Sequence, residues 1–177
     1  MLKSLKKFFL DPQFGRKKAF LKSLVLFQDL RDRDLGVLSQ ALHSRTYHAG
    51  EVVFMEGDIG RALFILESGR IELTKRGSDG EPQLIATLGP GDYFGEMALL
   101  EQRPRLASAV AVEQTGVYML YKAKLESLYV EAPRLALAIT LHLAQVLSAR
   151  LRTATERLVI SAPQHPHATA VPRTPAA

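Results

Sequence analysis

The sequence predicts an α+β fold in which short antiparallel strands form a sandwich or barrel-like roll flanked by helices. Three observations carry that prediction. Between Thr46 and Tyr121 the apolar residues fall in short β-rich runs instead of at helical spacing. Glycines punctuate those runs at Gly50, Gly57, Gly69, Gly80, Gly91 and Gly116, where turns are expected. Helical spacing holds before this region and returns after Lys122. No strand–helix–strand alternation appears, so a parallel sheet with crossover helices is excluded.

Each element has its own signal. Leu2, Leu5 and Phe9 share one helical stripe beside Lys3, Lys6 and Lys7. Asp11-Pro12 interrupts it, because the residue before a proline is pushed out of helical geometry. A second helix is expected over about 16–28, and a third from near Asp32, with Leu35, Leu38 and Leu42 on one face. Strands are expected at Val52-Val53-Phe54, Leu63 to Leu66, Ile71 to Thr74, Leu84 to Thr87, Ser108 to Val112 and Val117 to Tyr121. Ser78-Asp79-Gly80-Glu81-Pro82 reads as a hairpin loop, since Asp-Gly suits positive φ.

The last element is a helix reaching about Leu158, with Pro133 in its first turn, where proline is tolerated. Leu137, Leu141, Ala144, Ser148, Leu151, Thr155 and Leu158 alternate steps of four and three, which is a heptad seam. A second stripe of Leu135, Ile139, Leu143 and Val146 lies beside it. One stripe is expected to pack on the roll and the other on a second copy of the chain. From Ser161 the sequence is Pro, Ala, His and Thr without period, and disorder is expected.

At 177 residues the chain can hold one domain with a core plus appendages. It has no cysteine, which excludes disulfides and cysteine-ligated zinc. No apolar run approaches a bilayer span, and no secretory signal is visible, so a cytoplasmic location is the default expectation. The first 24 residues carry seven lysines and arginines against Asp11, a local +6 in a chain of net +5. The remainder is close to neutral and unsuited to coating nucleic acid. His43, His48, His142, His165 and His167 have no nearby carboxylate pair, so no metal is expected. No P-loop lysine, Gly-x-Ser-x-Gly or catalytic triad appears, and no enzyme is expected.

One short stretch concentrates the chemistry. Phe94-Gly95-Glu96-Met97-Ala98-Leu99-Leu100 is followed by Pro104-Arg105-Leu106-Ala107-Ser108, with Arg105 nine residues after Glu96. Glycine lets backbone approach a ligand, and amides at a helix start accept an anion. Arginine adds charge-assisted, bidentate bonds to phosphate oxygens. Glu96 can accept from a sugar hydroxyl, or serve as a helix N-terminal acid, and both roles can hold together. Pro104 stiffens the approach to Arg105, and small Ala107 and Ser108 leave room beside it.

This spacing resembles the phosphate-binding cassette of cyclic-nucleotide-binding domains, the family of the bacterial catabolite activator and of kinase regulatory subunits. The resemblance runs from about Leu24 to about Leu158. Leu26-Phe27-Gln28-Asp29-Leu30 is similar to the family's opening segment, and Gly50 to Asp58 to its first hairpin. Leu63 to Ile71 is similar to the next hairpin, and Leu88 to Glu96 leads into the cassette.

The resemblance implies an antiparallel, jelly-roll-like β-roll with N-terminal helices and a long C-terminal helix. Its domains would be a basic arm over 1–23, a nucleotide-binding domain over 24–133, a lid and dimerisation helix over 134–160 and a tail over 161–177. Glu96 would take the ribose 2′-hydroxyl and Arg105 the phosphate, with Gly95 and the amides of Met97 and Ala98 against both. Ser108 stands where many relatives carry Thr or Ser. Leu106 stands where cGMP-selective kinase domains tend to carry Thr, which tilts the ligand toward cAMP over cGMP. A lid would come from the long helix, with Thr153 and Thr155 at the purine edge and Leu151 for stacking.

Activators of this family usually continue into a helix-turn-helix. The proline-broken stretch after Leu158 builds no such pair of helices, so direct DNA binding is not expected. The function implied is a cyclic-nucleotide sensor that passes occupancy to an effector protein through its helices, as a homodimer. Two alternatives stay open: a degenerate interaction module that binds no nucleotide, and a regulator acting with a separate DNA-binding subunit. The basic arm could contact a membrane surface weakly, meet an acidic partner, or pack on its own domain.

Overall fold

A computed structural model describes residues 12–161. The chain begins with α1 (Pro12–Ser23) and α2 (Asp32–Ala41). Eight strands follow: β1 (His43–Tyr47), β2 (Val52–Phe54), β3 (Ala62–Ser68), β4 (Ile71–Arg76), β5 (Pro82–Leu88), β6 (Tyr93–Phe94), β7 (Ser108–Ala111) and β8 (Thr115–Tyr121). The one-turn helix α3 (Met97–Leu100) lies between β6 and β7, and α4 (Lys122–Glu131) and α5 (Pro133–Ser161) close the described chain. The strands form two four-stranded sheets in the orders β1-β8-β3-β6 and β2-β7-β4-β5, with antiparallel pairing throughout. This is the expected roll.

Side-chain alternation sorts the apolar residues into two cores. From β3, Ala62, Phe64 and Leu66 point between the sheets, where they meet Tyr47, Ile71, Phe94, Ala109, Val117 and Met119. Leu63 and Ile65 point the other way, with Tyr118 and Leu120 of β8, into a core built with the helices. Strand β3, central in the first sheet, is therefore buried on both faces, which explains the unbroken apolar run Ala62 to Leu66. Leu21 of α1, Leu35 and Leu38 of α2, Leu125 and Leu128 of α4, and Leu135, Ile139 and Leu143 of α5 fill the helix-side core.

The chain divides after Leu143 into two compact units: the roll with its helices, and the rest of α5. The predicted second stripe of α5 is buried at Leu135, Ile139 and Leu143. The heptad stripe is exposed: Leu137 by 64%, Leu141 by 57% and Leu151 by 69%. No helix among the described residues is long and apolar enough to cross a membrane.

Several local expectations need correction. The helix expected over about 16–28 stops at Ser23. Beyond it, the amides of Leu24, Phe27 and Leu30 bond to the carbonyls of Leu21, Leu24 and Phe27, so each turn closes over three residues. That winding turns Leu21, Leu24 and Phe27 into the core while Val25 stays exposed. Strand β1 escaped notice because only Tyr47 of His43–Tyr47 is buried, so no apolar alternation marks it. Gly116 lies inside β8 instead of at a turn; a Cβ there would sit 2.8 Å from Ser68 Oγ. The hairpin at Gly80 matches expectation, with φ +85° and the Glu81 amide donating to Asp79 Oδ1 at 3.1 Å. The stripe of Leu2, Leu5 and Phe9 lies outside the described residues.

Thr115, fully buried, locks the β4 and β8 ends together. Its Oγ1 accepts from the Arg70 amide at 3.0 Å, and its hydroxyl proton faces Glu113 O (2.9 Å) and Arg70 O (3.1 Å). Thr115→Val keeps the shape but takes the hydroxyl from the Arg70 amide and from Glu113 O, while Arg70 O keeps the Val112 amide, at about 1–3 kcal/mol. A urea unfolding curve should show that loss as a lower midpoint with unchanged slope. A midpoint equal to the wild type would remove Thr115 from the stability account.

Candidate functional site

The site is built where β3, β6, α3 and the start of β7 converge. Gly95 adopts φ +74°, the left-handed region that favours glycine. A Cβ at Gly95 would stand 2.5 Å from Arg105 Nη1 and 3.1 Å from Ala62 O, so a side chain there would displace the guanidinium and crowd the carbonyl. The turn carries the chain into α3, where Glu96 is the N-terminal flanking residue and is 4% exposed. Ala98 donates its amide to Gly95 O at 3.2 Å, and Leu99 donates to Glu96 O at 3.0 Å.

Arg105 lies across this turn. Its Nη1 donates to Gly95 O at 3.1 Å and its Nη2 to Ala62 O at 2.9 Å. The guanidinium sits 4.1 Å over the Phe54 ring and 5.6 Å from that of Phe64. Phe54, Phe64 and Phe94 form the floor beneath it, with centroid separations of 5.1–5.8 Å. Burial pushes the Arg105 pKa down, and the charges of Glu96 and Asp58 act against that push. A partly desolvated cation beside a buried carboxylate is thus set on an aromatic floor.

The loop between β2 and β3 fixes the backbone of Arg105. Arg105 donates its amide to Asp58 O at 2.8 Å and accepts from the Gly57 amide at 2.9 Å, while Ile59 bridges Pro104. Asp58 Oδ2 in turn accepts from the Met55 amide at 2.8 Å. Ser108 Oγ accepts from the Glu56 amide at 2.9 Å, tying the start of β7 to the same loop. Sequence reasoning missed Asp58, Phe54, Phe64 and the Ala62 carbonyl as parts of this site. The signal for Asp58 was local: Gly57-Asp58 stands in a block matched on other grounds. The phenylalanines converge only through sheet pairing, which no local spacing reveals.

The structure brings together Gly95, Glu96, Ala98, Arg105 and Ser108 in one stretch of the roll. Met97 and Leu106, 37% and 60% exposed, lie at its surface, and Ala107 is half-buried between Leu106 and Ser108. Thr153 and Thr155 belong to the second unit. Both are exposed, and their hydroxyls donate to carbonyls of their own helix, Ala149 O at 3.3 Å and Leu151 O at 2.9 Å.

Known proteins resemble this chain in sequence and fold. A family model described as the cyclic nucleotide-binding domain matches residues 44–132, which hold the cassette and all but the first residue of the strands. The cyclic AMP receptor protein of Thermus thermophilus is 36% identical over 134 residues, covering 76% of this chain and 60% of that protein. The cAMP-dependent protein kinase regulatory subunit of Yarrowia lipolytica is 38% identical over 122 residues, covering 67% and 32%. A solved cyclic nucleotide-binding domain from Methylobacillus flagellatus superposes with a TM-score of 0.73 at 25% identity, covering 86% of each chain. The chain therefore spans less than two thirds of those two curated relatives. With a two-sheet roll, a glycine turn closed by Arg105 and a buried Glu96, it belongs to the cyclic nucleotide-binding domain family.

Proposed function

We propose that this chain is a cyclic-nucleotide sensor that binds cAMP in the roll and passes occupancy to an effector protein through its helices. The observation that carries the reading is the pairing of a buried Glu96 with the partly desolvated Arg105 across Gly95. A cyclic nucleotide presents two features to that pair, a ribose hydroxyl and one phosphodiester charge. The hydroxyl donates to the Glu96 carboxylate, and the phosphate takes the Arg105 guanidinium. The Met97 and Ala98 amides flank the phosphate, and Leu106, Ala107 and Ser108 line the approach. Nothing in this pairing asks for bond cleavage: the site holds its ligand and releases it intact.

Signal transfer follows as a population shift, because only a conformation with the lid over the base gains the base contact. Thr153 and Thr155 supply that contact: each hydroxyl donates to a carbonyl of its own helix and keeps its oxygen free to accept from a purine amino group. The exposed stripe Leu137, Leu141, Leu151 pairs two chains through α5. Relatives named for cAMP in a bacterium and in a yeast support the choice of ligand. Calorimetric titration with cAMP, cGMP and a cyclic dinucleotide tests it directly. Binding of cAMP is expected; heat of binding from none of the three would leave a non-binding interaction module.

Base preference gives a finer test. Leu106 is 60% exposed and offers no hydroxyl to a guanine amino group. The protein should bind cAMP more tightly than cGMP, and Leu106→Thr should narrow the gap about fivefold, one net hydrogen bond's worth. Competition titrations in which the wild type prefers cGMP would contradict this.

A further inference from the structure

The sheet β1-β8-β3-β6 has a second polar site on the face away from Arg105. There a cleft of about 460 Å³ opens between α1, α2 and outward side chains of β1, β3 and β8, within the roughly 300–1,000 Å³ usual for small-molecule sites. We propose that this cleft is a ligand site for a small hydroxy- or amino-carboxylate, independent of the nucleotide cassette.

Charge selects an anion. Among the described residues that line the cleft, Arg16 and Lys17 stand against the one carboxylate of Glu67, which already accepts from the Tyr118 hydroxyl. The Lys17 ammonium is half-buried, gives one N–H to Leu42 O at 2.6 Å and lies 4.9 Å over the Tyr118 ring. Burial lowers its pKa even with Glu67 acting the other way, so this cation has lost more solvation than its neighbours return. A carboxylate in the cleft supplies the missing counter-charge.

A second observation adds the hydroxyl or amino group. The Ser39 side chain lines the same cleft, is 2% exposed and has no hydrogen-bond partner among the described residues. Buried hydroxyls are ordinarily paired, so an orphan beside a cleft marks a contact the protein itself does not supply. Drawing Lys17 away from Leu42 O toward an anion loosens the junction of α1 with the end of α2, where Ser39 sits. The Lys17 ammonium lies 4.9 Å over the Tyr118 ring and occupies that face of it.

The test uses the full chain, isotope-labelled, titrated separately with lactate, glycerate, L-serine and L-glutamate, with sodium chloride as the control anion. At least one probe should give saturable shifts at the amides of Ser39, Leu42 and Tyr118 by about 20 mM, well past a millimolar Kd. Lys17→Met should weaken that binding about tenfold, as loss of a charged hydrogen bond, and Ser39→Ala about threefold to tenfold. Arg105→Ala should leave it unchanged, which separates this site from the fate of the nucleotide reading. No saturable shift from any probe would overturn the proposal. So would equal shifts from chloride, or undiminished binding by a folded Lys17→Met and Ser39→Ala pair.

Discussion

Arg105→Ala should weaken cAMP binding by about 2–5 kcal/mol, the usual loss when one partner of a buried charged contact is truncated. The guanidinium is the cation that faces Glu96, and its removal leaves that carboxylate opposing a phosphate with no charge between them. The variant also loses two bonds, to Gly95 O and Ala62 O, and the contact with the Phe54 ring. At about 1 kcal/mol net per bond the fold should lose stability yet persist, because the aromatic floor of Phe54, Phe64 and Phe94 remains. Arg105→Lys should fall between wild type and alanine: it keeps the charge but has no planar fork to span two carbonyls. Circular dichroism establishes folding, and calorimetry reads the affinity. A folded alanine variant with unchanged affinity would take Arg105 out of the site.

The cassette was legible because its chemistry is contiguous. Gly95, Glu96 and Arg105 lie within one loop, and glycine, acid and arginine each have few reasons to stand there together. What Arg105 rests on was not legible. Phe54, Phe64 and the Ala62 carbonyl come from β2 and β3 and reach it only once the strands pair. Strand β3 was found because five consecutive residues are buried, and β1 was missed because four of its five are exposed. The end of α1 was misplaced for a related reason: Leu21, Leu24 and Phe27 share an inward face in three-residue turns as readily as in a helix. The two stripes of α5 were separable from spacing alone, since residues three and four apart share a helix face. Burial of Leu135, Ile139 and Leu143 against exposure of Leu137 and Leu141 follows that division.

The exposed stripe sets up the second large effect. Replacing Leu141 and Leu151 together with glutamate should convert a parallel dimer into a monomer. Both positions are more than half exposed within one chain, so the substitution spares the core that Leu135, Ile139 and Leu143 make. Each leucine taken from water in a two-helix seam contributes roughly 1.5–3 kcal/mol. A carboxylate in its place forfeits that and meets its own copy across the axis without a partner. Because Leu141 and Leu151 are ten residues apart on α5, about 15 Å along the axis, the two losses should add. Together they exceed what one helix pair of this length has to spare. Sedimentation of the wild type at tens of micromolar should show the dimer, and the double variant should sediment as a monomer with its β-rich circular dichroism intact. A wild-type chain that stays monomeric with and without cAMP would sink the seam as an interface. The stripe would then be left to cover the nucleotide within its own chain.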